Sequence, residues 1–173
     1  KEYSAIKYVL YTLFGGALML AGILSLYFIT GSLSIVEIAQ TNLAPLTTAI
    51  PLATIFFLLL AGFAVKLPVV PLHTWLPDAH TDAPTAVSVI LAGVLIKMGG
   101  YAMIRISVHI FPQVAQDYAP WLLGLAAVNV VYGAAITLKQ TDIKRLIAYS
   151  SISHMGFVML GIFALGEVSM VGA

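Results

Sequence analysis

Five apolar stretches, each near the length that crosses a bilayer, limit what this chain can fold into. They run over about residues 6–29, 46–66, 84–110, 121–138 and 146–165. A helix rising 1.5 Å per residue needs about 20 residues to cross a hydrocarbon core of roughly 30 Å. The stretches are apolar all round and lack the alternation of a barrel strand. Backbone polar groups in lipid must be paired within their own segment, so helices are the natural structure. The expected fold is therefore all-α, a polytopic transmembrane helix bundle of five spans forming one membrane domain over residues 1–173.

Composition agrees. Only 9% of the residues are charged and 61% are hydrophobic, whereas a soluble domain carries roughly 25% charge. A net charge of +1 excludes a nucleic-acid binder that works by neutralising phosphates. Without cysteine, the chain can hold no disulfide, thiolate metal site or iron–sulfur cluster. It begins at Lys1 with no signal-peptide pattern and ends at Ala173 soon after an apolar run. The expectation is an internal piece of a longer protein.

Charge also sorts the connections. Lys1, Lys7, Lys139, Lys144 and Arg145 fall at the end that holds the N-terminus, the second–third connection and the fourth–fifth connection. Glu37, Asp117 and Glu167 fall at the other end. Basic loops mark the cytoplasmic, matrix or stromal face.

The segment from Ala64 to His80 is the most informative. Pro68, Pro71 and Pro77 closely follow the second apolar run. Proline lacks an N–H and its ring clashes with the preceding turn, so one straight helix is not expected. The expectation is a helix, an extended break near Leu67–Val70, and a short second half. Irregular backbone at membrane depth persists where it is buried in protein or lines a watery cavity, and such breaks build ion sites in transporters. A proline-rich interfacial loop anchored by Trp75 is the alternative. Asp82, just before Pro84, reads as the N-cap of the third span, and Asp78 as a local structural residue.

Ionisable residues within spans are the candidate functional groups. Lys97 lies midway between Pro84 and Ile110, with Gly93 and Gly100 at i−4 and i+3 on the same face, where another helix could approach. It is a candidate proton carrier, or else a lysine held permanently by a carboxylate. Lys66, just before the break, is a second candidate, or a lysine snorkelling from a helix end. His73, in the break, and His154, in the fifth span, are relay candidates. The alternative for His154 is a buried histidine bonded to Ser150, Ser151 or Ser153. His109 and Arg105 read as interface residues. There is no phosphate-binding loop, no histidine pair at metal-ligand spacing and no Ser-His-Asp pattern. No catalytic, metal or cofactor site is expected in this chain.

Three strings carry a specific resemblance. They are Lys66-Leu-Pro-Val-Val-Pro-Leu-His-Thr-Trp-Leu-Pro-Asp-Ala-His80, Leu91-Ala-Gly-Val-Leu-Ile-Lys-Met-Gly-Gly-Tyr101 and Thr141-Asp-Ile-Lys-Arg-Leu-Ile-Ala-Tyr-Ser-Ser-Ile-Ser-His-Met-Gly156. Together they resemble the antiporter-like membrane subunits of complex I, the NADH:quinone oxidoreductases. The Leu-Ala-Gly-x-Leu-x-Lys-Met-Gly form is most similar to the M-type branch, also called chain 4 or D. The resemblance implies a larger fold of about fourteen helices built from inverted five-helix repeats, of which this chain would supply the sixth to tenth. It places the broken-helix lysine on Lys66, the central eighth-helix lysine on Lys97 and the tenth-helix histidine on His154. The fifth-helix glutamate that pairs with the broken-helix lysine would precede Lys1.

The implied function is proton translocation across an energy-transducing membrane, coupled to quinone reduction elsewhere in the complex. The chain would sit in a bacterial or archaeal plasma membrane, a thylakoid or the inner mitochondrial membrane. It would be a subunit of a translocating oxidoreductase, with protons, internal water, lipid and other membrane-arm subunits as its partners. NADH or another donor, flavin, iron–sulfur clusters and quinone would belong to other subunits. Two rivals stand beside this reading. One is a subunit of a multi-subunit sodium/proton antiporter or a membrane-bound hydrogenase. The other is a purely structural scaffold of the membrane arm.

Overall fold

The computed structural model of the protein describes residues 2–41, 43 and 50–173. Every regular element among the described residues is helical: α1 Glu2–Thr30, α2 Ile35–Gln40, α3 Leu52–Lys66, α4 Trp75–Asp82, α5 Thr85–Val108, α6 Pro112–Thr137, α7 Ile143–Phe163 and α8 Glu167–Gly172. Of these, α1, α5, α6 and α7 are long and apolar enough to cross a membrane, and α3 is a shorter apolar helix. Positions 46–49 of the second expected span, like Lys1, lie outside the described residues.

Three expectations need correction. The fourth span begins at Pro112 rather than at residue 121. Pro112 fits a first turn, where the missing N–H has no intrahelical role. The helix continues through Pro120, so Asp117 is a helical residue and not a loop residue. Asp82 does not cap the third span. It is the last residue of α4, and its carboxylate accepts a 2.5 Å hydrogen bond from Ser4 Oγ, while α5 starts after Pro84 with no side-chain cap. Finally, α5 is not uniformly α-helical. Wide π turns at Leu91–Leu95 and Met103–Val108 flank the α-helical stretch Ile96–Ala102, which carries Lys97. Such π turns release backbone groups from regular pairing and re-aim side chains.

The bundle is built from two closely packed pairs, α1 with α3 and α6 with α7. The second pair is close because of glycine. A Cβ on Gly133 would lie 2.7 Å from the Ser153 nitrogen, and one on Gly156 2.8 Å from the Val130 nitrogen. Small residues of this kind let membrane helices meet backbone to backbone.

The two ends of the bundle separate as the loop charges indicate. At one end Lys7 and Arg145 both ion-pair with Asp78, and Lys144 Nζ donates to the Ala83 carbonyl at 2.9 Å. The start of α1, the stretch Asp78–Ala83 and the start of α7 therefore meet there. At the other end, the segment after α2, the start of α3 and the α5–α6 turn line one shared cavity.

Candidate functional site in the broken span

The break forms where the sequence removes backbone donors. Helix α3 ends at Lys66, and Leu67 turns extended at φ −82°, ψ 97°. Pro68 and Pro71 supply no N–H, and the Val70–Pro71 peptide is cis. Helix α4 starts at Trp75, which puts Pro77 in its first turn. Pro77 therefore opens the second half-helix, whereas Pro68 and Pro71 make the discontinuity.

A break between two half-helices, packed inside the protein, leaves polar backbone that must find partners. The Leu67 nitrogen donates to the Phe63 carbonyl at 2.7 Å, and the Val69 nitrogen to the Ala64 carbonyl at 3.2 Å. The indole Nε1 of Trp75 donates to the Val65 carbonyl at 2.9 Å. Trp75 is fully buried, so it is an internal clamp and not an interfacial anchor. The side chain of Asn129, fully buried in the middle of α6, completes the set. Its Oδ1 accepts the Val70 N–H at 2.9 Å, and its Nδ2 donates to the carbonyls of Ile152 at 2.9 Å and Pro68 at 3.4 Å.

Lys66 is half-buried at the C-terminal end of α3, where the helix carries partial negative charge. Its Nζ lies 5.9 Å from the centroid of the Tyr8 ring, a cation–π distance. Among the described residues no carboxylate ion-pairs with it. His73 is buried in the same break, 5.1 Å from the Tyr132 ring in an edge-on contact, and its Nδ1 has no hydrogen-bond partner.

Lys97 and His154 form a second group. Both are exposed, and both line an open groove of about 390 Å³ between α5 and α7, together with Gly93 and Ser151. The three serines near His154 bond to backbone instead of to it. Ser150 and Ser151 donate to the Ile147 carbonyl at 2.8 and 2.9 Å, and Ser153 donates to the Val130 carbonyl at 3.0 Å. Gly93 faces open space, so it is not the glycine through which α5 meets its neighbour. The close-approach glycines are Gly100, whose Cβ would lie 3.4 Å from Val158 of α7, and Gly99, whose Cβ would lie 2.7 Å from the Leu67 nitrogen.

Lys66 and His73 thus share the break, and Lys97 and His154 share the groove. The backbone of α5 at Gly99 packs against the break at Leu67, and among the described residues no side-chain hydrogen bond joins one group to the other. Reading the sequence alone missed Asn129 and also His80, which is buried in α4 with Nε2 unpartnered. An amide inside an apolar run was the available signal for Asn129, since such residues bond across membrane helices.

Fold and site together define an integral, multi-pass α-helical membrane protein of the broken-helix type, with a lysine at the discontinuity. Over residues 1–173 the chain matches the family described as NADH:quinone oxidoreductase/Mrp antiporter, transmembrane, and it belongs to that family. It is 47% identical over 173 residues to the NAD(P)H-quinone oxidoreductase chain 4 of Gloeobacter violaceus, covering 99% of this chain and 32% of that one. Among solved structures it resembles respiratory complex I from Thermus thermophilus with bound NADH. That match has a TM-score of 0.84 and 31% identity, over 99% of this chain and 36% of the matched one. The Mrp complex from a Dietzia species also matches with a TM-score of 0.84, at 22% identity over 97% of this chain and 30% of that one, and so shares the fold. The chain spans about a third of the length of these relatives.

Proposed function

We propose that this chain is the lysine-bearing part of a proton-translocating, antiporter-like membrane subunit of an NADH:quinone oxidoreductase. One observation carries the proposal. Lys66 stands at the break of a discontinuous span, with no described carboxylate to neutralise it. An amine in that position is expensive to keep charged and is expected where charge must move. Its counter-charge would come from another part of the subunit, and its arrival and departure would drive uptake and release of a proton at Nζ. His73 in the same break, with a buried Nδ1 free to bond an internal water, would receive or pass that proton. Lys97 and His154, on their common groove, would form the next station. The electron donor, flavin, iron–sulfur clusters and quinone belong to partner subunits in this reading, and coupling to this chain is electrostatic.

The test uses the full-length subunit in its parent complex, reconstituted in liposomes. Lys66→Ala and Lys97→Ala should each lower proton uptake per quinone reduced at least several-fold, while the complex still assembles. Loss of assembly in both variants, with no selective loss of pumping, would favour the scaffold reading. Transport that needs sodium would favour the sodium/proton antiporter, for which the shared fold is the present support.

A further inference from the structure

We propose that Asn129 is a positioning residue that fixes the geometry of the break and, through it, the place of Lys66. This rests on the proton-translocation reading of Lys66. Asn129 is fully buried in α6, yet its amide is spent on the backbone of other elements. It accepts from Val70 and donates to Pro68, so it grips both sides of the peptide units that follow Lys66. Its remaining donor goes to Ile152, tying the break to α7 as well.

Ordinary helix-to-helix glue would not need this arrangement. Glycine contacts already join α6 and α7, at Gly133 against Ser153 and at Gly156 against Val130. What those contacts cannot do is satisfy the Val70 N–H, whose helical partner would have been the Lys66 carbonyl. An unpaired N–H inside the protein would favour any rearrangement that paired it, including a different path for the chain between Lys66 and Trp75. A primary amide suits the task because it both accepts and donates. One turn further along α6, Tyr132 contacts the His73 ring. The same face of α6 therefore addresses both ends of the break, at Pro68–Val70 and at His73.

The amide does not itself carry a proton, so its loss should change where and when Lys66 exchanges one. The experiment compares Asn129→Leu, Asn129→Asp and Lys66→Ala in the complete complex, reading proton uptake per quinone reduced between pH 6 and 8.5. Asn129→Leu should lower that ratio about three-fold or more and displace its pH optimum by at least half a unit, with quinone reduction nearly unchanged. If Asn129→Leu does not assemble, Asn129→Asp decides. It is isosteric and keeps an oxygen for Val70, and as the neutral acid that such burial favours it has one O–H donor where the amide has two N–H donors, so it should assemble with Pro68 or Ile152 left unpaired and show a displaced profile. Wild-type profiles in the Asn129 variants, with pumping lost in Lys66→Ala, would overturn this inference alone. Undiminished pumping in Lys66→Ala would overturn the underlying reading. Failure of both Asn129 variants to assemble would reduce Asn129 to a folding residue and overturn the assignment.

Discussion

Lys7 and Asp78 are separated by 71 positions in sequence, yet Lys7 Nζ lies 2.7 Å from Asp78 Oδ2. The pair joins the first turns of α1 to the second half of the broken span. Arg145, from the start of α7, reaches the other oxygen of the same carboxylate at 3.6 Å. One carboxylate thus gathers three elements at the basic end of the bundle, and it does so beside the break that carries Lys66.

These contacts are worth different amounts. The side chains of Lys7 and Asp78 are 20% and 24% exposed, whereas that of Arg145 is 48% exposed. Open ion pairs contribute about 0.2–1 kcal/mol, and removing one partner from a more covered pair strands the other charge. A double-mutant cycle with Lys7→Met and Asp78→Asn should give a coupling of about 1 kcal/mol, and one with Arg145→Gln less than about 0.5 kcal/mol. Thermal unfolding of the purified full-length protein in detergent, at low and high salt, measures both. Equal couplings would contradict the ranking.

The same end-to-end arrangement fixes a topology that labelling can read. This stretch has no cysteine of its own, so introduced thiols report cleanly if the rest of the subunit is made cysteine-free. Thr141, in the α6–α7 connection, and Gln113, in the first turn of α6, are both exposed at opposite ends of one spanning helix. Thr141→Cys should react with an impermeant maleimide from the side rich in lysine and arginine, the cytoplasmic, matrix or stromal face. Gln113→Cys should react from the other side. Labelling of both from one face would refute the assignment.

The spans were legible because lipid imposes a single local rule. Long apolar runs without water must pair their own backbone, and that reads directly from residues such as those of α1 and α7. The break was equally legible, because Pro68 and Pro71 remove donors locally. What escaped were partnerships set by tertiary packing. Asp82 stands before Pro84 like a cap, yet Ser4, 78 residues away, is its partner. Asn129 is an isolated amide in an apolar helix, and nothing in its neighbours says that it faces Val70. The π turns around Lys97 have no residue signature either. Helical spacing correctly groups Gly93 with Lys97, which line one groove, but it does not show that Gly99 is the glycine packed on the Leu67 backbone.

Trp75 offers a test of the clamp on α3. Its Nε1 supplies the donor for the Val65 carbonyl inside the protein, and its ring is 5.2 Å from that of Tyr8. Trp75→Phe keeps an aromatic ring but removes the N–H, so the carbonyl loses its partner. Leaving such a group unsatisfied costs about 1–3 kcal/mol. The melting midpoint should fall by several degrees. An unchanged midpoint would mean that the last turn of α3 can relax to another donor.

Gly99 packs on the backbone of the break, and it yields a paired prediction. A methyl group there would sit 2.7 Å from the Leu67 nitrogen and 3.1 Å from the Phe63 carbonyl oxygen. Both are backbone atoms, so no side-chain rotation relieves the clash. Gly99→Ala must displace either α5 or the break itself, and overpacking of this kind costs roughly 1–3 kcal/mol. Gly93 lies on the same helix with nothing within 4 Å of an added Cβ. Alanine is a better helix former than glycine by up to about 1 kcal/mol, so Gly93→Ala should be neutral or mildly stabilising. Because Leu67 directly follows Lys66, the proton-translocation proposal adds that the Gly99 variant, in the full-length subunit and its complex, should lose pumping relative to quinone reduction, while the Gly93 variant should keep both. Thermal midpoints and proton uptake per quinone reduced, measured on the two variants side by side, decide the matter. Equal behaviour would mean that α5 does not hold the break in place.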